Sequence, residues 1–326
     1  MPFSLDRLEA TGEPFPAAPL GVNPSVAGST LVYALAAPPI LSEIVEVDRK
    51  GQVVRTIGAP RRGLYPSPAL SPDGRRLVVP VAELTGSDLW LYDIVDGEPT
   101  QLTFHGNSVS GVPVWTPDGN EIVYTWSSTT ENISLRAVKV NRSETRELGP
   151  GAGPIAFLAN GKSILYALHA KGFNWDIWRK DLGDRGPGDC LLSDPDWELN
   201  PALSPDGRFL AYDRGGKGGI VLVRTFPGLA GPWQVATGAK PHWSRDGGRL
   251  FFLAGHDMME VSLDTRAELR VGKPNKLFTL AQAAAAPVDV PGFALGSTGE
   301  TFIMVRPVES QPGLVVVQNW LALVER

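Results

Sequence analysis

Short apolar runs bounded by turn residues recur along the whole chain. One unit contains the apolar run Arg76–Pro80, the alternating run Asp88–Asp93 and the more polar run Thr100–Phe104. Alternation with a period of two over about 4–8 residues is typical of strands. A short segment that carries Pro68 precedes these three runs. The unit therefore predicts four short strands, with a proline in the first.

The turn after the first strand carries a motif that recurs at intervals of about 40 residues, the length of one propeller blade. In Ser71–Gly74, Pro presets φ and Gly tolerates positive φ, so the motif suits a tight turn and we interpret it as scaffold. Proline cannot donate to a central ladder, which places the first strand at a sheet edge, such as the edge facing a propeller's channel. The other copies are Thr116–Gly119, Ser204–Gly207, Ser244–Gly247 and the degenerate Leu158–Gly161.

These repeats predict an all-β fold: one closed β-propeller domain over residues 1–326, built from four-stranded blades. We count seven blades, and six with an irregular closing blade is the alternative. Residues 1–20 are expected to be outer strands, since Phe3–Asp6 is similar to Val261–Asp264. N-terminal strands would then pair with C-terminal strands, which removes exposed edges. The predicted blades are 22–58, 64–104, 109–148, 151–193, 198–237, 239–280 and 290–324.

Composition and charge fit this fold and limit the classes of partner. The 36 glycines and 29 prolines suit many turns. A net charge of −5 with mixed signs provides no basic stripe for nucleic acid. No run approaches the ~18 consecutive apolar residues of a membrane span. Residues 1–19 lack a basic region followed by an apolar core, so we expect a cytoplasmic location for the chain as written, unless a longer precursor is exported.

The strongest repeat, Asn200–Tyr212, resembles the TolB-like propellers with PD40-type repeats. Trp243–Gly247 and Val223–Pro227 support this resemblance, which covers nearly the whole chain and is closest to the propeller regions that follow bacterial serine/threonine kinase domains. Kinase motifs and the N-terminal domain of TolB are missing from the sequence, so neither role transfers. The resemblance implies a module that binds a protein, peptide or small-molecule ligand through its loop face. It does not imply a catalytic activity, because fold alone confers none.

The four histidines are candidate metal ligands, because all of them map to one predicted face of the propeller. His242 stands on an inner strand where other blades have small residues such as Ala69 and Ala202. Imidazole nitrogens and carboxylate oxygens are ligands for a divalent, Zn-like metal with an open position for water. The predicted ligands are His242, His105, His169, His256 and Glu198, and the predicted general bases are Glu83 and Asp196.

Each of these residues also has a purely structural interpretation. His105 and His256 would be ordinary exposed loop residues, and His242 would be a core histidine bonded to a carbonyl. Three tryptophans fall in loops of the same face and are predicted to form a ligand rim. The alternative is that each packs under its own loop. These residues are Trp126, Trp175 and Trp197.

Two functions remain open on the sequence. The first is a binding module, and the alternative is a metal-dependent hydrolase of esters, lactones or phosphoesters with its metal at the channel mouth. No Gly-x-Ser-x-Gly elbow occurs, and the glycine-rich run Gly215–Gly219 joins two predicted strands rather than opening a helix. We therefore expect no nucleotide cofactor.

Overall fold

The structure is a computed structural model, and it describes most of the 326-residue chain. The described residues are 3–4, 9–10, 21–27, 30–35, 41–63, 68–83, 86–104, 108–128, 133–158, 160–169, 175–184, 186–193, 196–215, 219–266, 268–280, 292–308 and 314–318. They form β-strands, numbered β1 to β30 in chain order. Over these residues no helix has the length and apolar character needed to cross a membrane.

The chain divides into two compact units. The smaller unit comprises Met1–Leu41 and Val308–Arg326. It contains a two-stranded pair and a three-stranded antiparallel sheet in the order β3-β4-β30. The strands are β1 (Phe3–Ser4), β2 (Glu9–Ala10), β3 (Gly21–Ala27), β4 (Thr30–Leu35) and β30 (Leu314–Gln318).

The larger unit, Ser42–Pro307, contains six antiparallel sheets, which we call blades 1 to 6. Blade 1 comprises β7 (Ala69–Leu70), β8 (Arg76–Glu83), β9 (Gly86–Asp93) and β10 (Pro99–Gln101). Blade 2 comprises β11 (Ser108–Trp115), β12 (Glu121–Ser127), β13 (Ile133–Lys139) and β14 (Thr145–Pro150). Blade 3 comprises β15 (Ala152–Phe157), β16 (Ser163–His169), β17 (Trp175–Asp181) and β18 (Asp189–Leu192).

The remaining blades follow the same order, except that blade 6 draws on both ends of the unit. Blade 4 comprises β19 (Glu198–Leu203), β20 (Phe209–Arg214), β21 (Ile220–Thr225) and β22 (Trp233–Thr237). Blade 5 comprises β23 (Ala239–Trp243), β24 (Arg249–Ala254), β25 (Asp257–Asp264), β26 (Arg270–Val271) and β27 (Asn275–Thr279). Blade 6 has the order β28-β29-β5-β6, with β28 (Phe293–Leu295), β29 (Phe302–Pro307), β5 (Leu41–Val47) and β6 (Val53–Arg62).

Six apolar clusters lie between neighbouring blades, and together they arrange the blades in a ring. Along β8, Leu77 and Val79 pack in a cluster with Ile44 of blade 6, whereas Val78 packs with Ile122 of blade 2. Alternate side chains of a strand point to opposite faces, so an uninterrupted apolar run fills two interfaces at once. The last cluster joins blade 5 to blade 6, where Phe251 and Phe302 are fully buried.

The predicted count of seven blades is not confirmed, because the described residues of the larger unit form six blades, five with four strands and blade 5 with five. The predicted segment 22–58 contributes to two different sheets: β4 pairs with β3 on one side and with β30 on the other, whereas β5 pairs with β29. All of these segments have the same apolar strand pattern. Which strand edges meet is decided by tertiary packing, and the pattern alone does not contain that choice.

The repeated turn motif is explained by hydrogen bonds within each turn. In blade 4, the Ser204 hydroxyl donates to Asp206 at 2.6 Å, and the same carboxylate oxygen accepts the backbone N–H of Arg208 at 3.1 Å. Thr116 and Asp118 repeat the first bond in blade 2. Gly207 has φ 71°, a conformation that glycine adopts without steric cost. The motif therefore fixes the hairpin between the first and second strands.

A tryptophan at the end of the first strand links consecutive blades. The indole N–H of Trp115 donates to the carbonyl of Ala69 in blade 1 at 2.9 Å. Trp243 makes the same bond to Ala202 of blade 4 at 3.0 Å. Both side chains are buried, as expected of large apolar groups whose one donor has found an acceptor.

Replacing the turn carboxylate, as in Asp206→Ala, is expected to lower the free energy of unfolding by about 1–2 kcal/mol, because the hydrogen bonds that it accepts from the Ser204 hydroxyl and from the backbone N–H and Nε of Arg208 are lost. Burial opposes ionisation of Asp206, but hydrogen bonds from Ser204 and Arg208 outweigh it and lower the pKa from 3.8 to about 2. The stabilisation by the ionised Asp206 carboxylate is therefore present above about pH 4 and disappears as the pH falls towards 2. Urea denaturation at pH 7 and pH 2.5 measures both effects.

The control for this change is Asp189→Ala, which removes an exposed carboxylate that pairs with Arg179 at 3.2 Å. Exposed pairs contribute little, so the control is expected to stay within about 0.5 kcal/mol of wild type. An equal decrease in the free energy of unfolding of Asp206→Ala and Asp189→Ala would contradict the scaffold role of the turn.

Removing the inter-blade donor, as in Trp115→Phe, is expected to cost about 1–2 kcal/mol, because the carbonyl of Ala69 loses its partner and the smaller ring leaves space. Trp197→Phe is the matched control, since 46% of the Trp197 side chain is exposed. Thermal unfolding of both variants tests the difference, and a Trp115 variant as stable as the control would show that this link is unimportant.

Candidate functional site: an axial cavity

The first strands of blades 2 to 6, together with Pro68 directly before the first strand of blade 1, surround one cavity of about 700 Å³ in the larger unit. Its wall is mostly apolar, with small or proline residues from most blades. A cavity of this size and character lies within the range of small-molecule and peptide sites. The lining residues include Pro68, Val112, Ala156, Ala202, Pro241 and Phe293.

The local backbone of the first strands shapes this wall. In blades 3, 4 and 5 the ladder between first and second strands shifts register at a bulge. At each bulge a residue just before a proline has positive φ: Gly153 at 54°, Asn200 at 47° and Lys240 at 56°. A bulge bends an edge strand and releases pairing. The prolines that predicted an edge strand therefore also mark the bend that faces the cavity.

His242 is a predicted site residue that lies in the cavity wall. Its Cα pairs with Phe251, and the same ladder position holds Ala202 in blade 4 and Ala69 in blade 1. The ring is half-buried and lies against Phe293, with 4.3 Å between ring centroids. An imidazole therefore stands where the corresponding ladder positions of blades 1 and 4 hold alanine.

The protonation of His242 follows from its contacts. Nδ1 lies 3.1 Å from the carbonyl oxygen of Lys240, so Nδ1 carries the proton and donates. Burial lowers the pKa of His242 to about 4, although the bond to this carbonyl acts in the opposite direction. The ring is neutral at pH 7, and Nε2 is its acceptor. This contact is the one expected of a histidine bonded to a carbonyl.

The three predicted rim tryptophans have different positions. Trp175 lines the cavity from the start of β17. Trp126 is half-buried and stacks on Arg136, whose guanidinium carbon lies 3.5 Å from the ring centroid, beside the core between blades 1 and 2. Trp197 is exposed and is not among the residues that line the cavity. The structure thus brings Trp175 and His242 to one cavity.

The other predicted ligands and bases do not line the cavity within the described part of the chain. His256 is exposed at the turn between β24 and β25. Glu198 is fully buried at the start of β19. The exposed Asp196 forms an ion pair with Arg214, with 3.7 Å between Oδ2 and Nε. His105 lies outside the described residues. So do the side chains of two residues whose backbones end β8 and β16, Glu83 and His169.

A metal centre is not assembled by the side chains that the structure describes. Among them no group of three His, Cys, Asp or Glu residues is placed to hold an ion. Of the predicted ligands whose side chains the structure describes, His242 alone lies in the cavity wall, and its Nδ1 bonds to a carbonyl. The metal site and the hydrolase that depends on it remain predictions.

Sequence reasoning missed Asp213, a buried carboxylate behind the cavity wall. The residue is 1% exposed at the end of β20. Burial raises its pKa to about 6, against the effect of hydrogen bonds from Lys240 and Asn200. The sequence feature that could have indicated a buried carboxylate is an acid directly after the apolar run Phe209–Tyr212, but the same feature is also typical of the polar end of a strand.

The comparisons with known proteins agree with this architecture. The family model of the TolB beta propeller domain (PD40) matches residues 42–230, more than half of the chain. No curated protein sequence matches the chain.

Solved structures with similar folds are distant in sequence. A TolB from Agrobacterium tumefaciens has a TM-score of 0.64 and 17% identity, covering 84% of this chain and 100% of that one. TolB from Acinetobacter baumannii has a TM-score of 0.55 and 17% identity, covering 74% and 67%. An oligogalacturonate lyase in complex with manganese has a TM-score of 0.51 and 16% identity, covering 93% and 82%. Such identities show the fold alone, whereas the family match covers the repeats themselves: the chain belongs to the TolB beta propeller domain family.

Proposed function

We propose that this chain is a binding module that takes an apolar part of a protein, peptide or small-molecule partner into its axial cavity. The observation that supports this is the cavity of about 700 Å³ with a mostly apolar wall. An apolar group that enters it leaves water, and that transfer favours binding. The TolB-like fold supports a module of this kind.

Two features of the wall would give such binding its specificity. Trp175 offers a large aromatic surface with little conformational entropy to lose. His242 is neutral at pH 7 and presents Nε2 as an acceptor, so it suits a partner that brings one N–H or O–H donor. A few polar groups placed in an apolar pocket are the usual basis of orientation in binding sites.

Filling the cavity is the direct test. Ala202→Trp places a large side chain in the wall and is expected to weaken binding of the neutral apolar dye Nile red at least about tenfold, because the volume that the dye occupies is lost. Fluorescence titration measures the affinity. Ala167→Phe fills a different part of the same wall and serves if the first variant unfolds.

The matched control is Val95→Trp, which adds the same indole to a residue that is 83% exposed. It is expected to leave dye affinity within about twofold of wild type, since exposed positions outside the cavity do not compete with the dye. Folded cavity variants that bind the dye as tightly as this control would refute the proposed site.

A further inference from the structure

Asp213 connects blade 4 to blade 5 directly behind the cavity wall. Its Oδ1 accepts the side-chain N–H of Asn200 at 2.9 Å and the backbone N–H of Lys240 at 2.9 Å. Asn200 belongs to the first strand of the same blade, and Lys240 to the first strand of the next. Both partners line the cavity. One buried carboxylate therefore holds two adjacent parts of the wall.

Both partners are in a conformation that needs such support. Asn200 and Lys240 have φ of 47° and 56°, in the left-handed region that residues with a side chain rarely adopt. Each precedes a proline, which restricts its backbone further. Residues held in sparsely populated regions persist where surrounding contacts enforce them, and such residues cluster at ligand sites.

The connection continues to His242 through a single residue. The N–H of Lys240 donates to Asp213, and the carbonyl of Lys240 accepts from Nδ1 of His242. Movement of this one residue therefore changes the orientation of the imidazole and of its Nε2. Asp213 is buried and does not line the cavity, so its carboxylate acts on the cavity only through Asn200 and Lys240.

A comparison of the six blades shows that this acid is unusual at its position. The ladder registers place Asp213 opposite the same part of the first strand as Thr125 in blade 2. Thr125 performs the same task without a charge, since its Oγ1 accepts the N–H of Gly153 in blade 3 at 2.7 Å. Corresponding positions in the other blades hold Pro80, Ala167, Leu253 and Val305.

We propose that Asp213 is a positioning residue of the axial cavity: its carboxylate holds Asn200 and Lys240 in their left-handed conformations and thereby orients His242, and its protonation loosens this part of the wall. The effect on binding rests on the proposed function, whereas the effect on His242 does not. Charge-assisted hydrogen bonds are stronger than neutral ones, so a protonated Asp213 holds both donors more weakly.

The electrostatic surroundings set the range in which this happens. Burial raises the pKa of Asp213 from 3.8 to about 6. The neighbouring charged groups are Lys240 of β23, which favours the ionised form, and the Glu198–Arg214 pair of the adjoining ladder position. Because the folded-state pKa is the higher one, acidification from pH 6 to 4 adds stability through this group. A loss of binding in that range is therefore distinguishable from unfolding caused by Asp213.

Nitrogen NMR of the histidine rings tests the positioning role without any ligand. Wild type is expected to show His242 protonated at Nδ1, with resonances that shift with a midpoint near pH 6 while the ring itself stays neutral. His242→Gln assigns the signals. Asp213→Asn keeps an acceptor of the same shape but does not titrate, so the transition near pH 6 is expected to disappear.

Two further variants separate positioning from general stability. Asp213→Leu removes the acceptor and is expected to shift the His242 resonances at pH 7.5. Thr125→Val removes the uncharged counterpart between blades 2 and 3 and is expected to leave them unchanged. If Asp213→Leu does not fold, the pH profile of Asp213→Asn decides alone. A transition near pH 6 that persists in Asp213→Asn would overturn the proposal.

Nile red affinity links this role to the cavity. Binding to wild type is expected to be about threefold weaker at pH 5 than at pH 7.5, and to Asp213→Asn nearly equal at the two values. Dye that fails to bind wild type at pH 7.5 would refute the proposed function but leave the NMR result standing. Equal pH dependence in both proteins would refute the effect of Asp213 on binding.

Discussion

The packing of each sheet against two neighbours is the constraint on which this protein depends. A four-stranded sheet with two apolar faces is stable only when both are covered, and the ring arrangement covers them with six apolar interfaces. The buried second strands, such as Arg76–Glu83 and Phe209–Arg214, supply side chains to both interfaces at once. The core is therefore divided among the gaps between blades, and the axis is left open.

The open axis explains why the cavity has its particular chemistry. First strands converge there and have one edge without a neighbouring strand in their own blade, so prolines and bulges are tolerated. The convergent position holds alanine in four blades and valine in blade 2, and His242 stands at the sixth. The wall is thus mostly apolar, and single residues that differ from the repeat, such as His242, change its chemistry locally.

Asp213 and Thr125 show how such departures interact with the repeat. Both accept the backbone N–H of a left-handed residue in the next blade, yet the carboxylate costs more to bury and also accepts the side-chain N–H of Asn200. An uncharged acceptor suffices for the structural task, as blade 2 demonstrates. The ionisable group consequently adds a response to acid at the part of the wall that contains His242, and the strain of two left-handed residues makes that part sensitive to it.

The sequence by itself determined the repeat, the turns, the edge position of the proline strands and the family, because the turns and edge prolines depend on neighbouring residues and the repeat is the recurrence of these local patterns along the chain. It also assigned His242 and Trp175 to one face of the propeller, since a fixed repeat converts position in a blade into position in space, and both residues line the axial cavity. Only the tertiary structure decided the number of blades, the partner of β5, and the role of Asp213. Strand pairing depends on which edges meet, and the ionisation of a carboxylate depends on burial by residues far away in the chain.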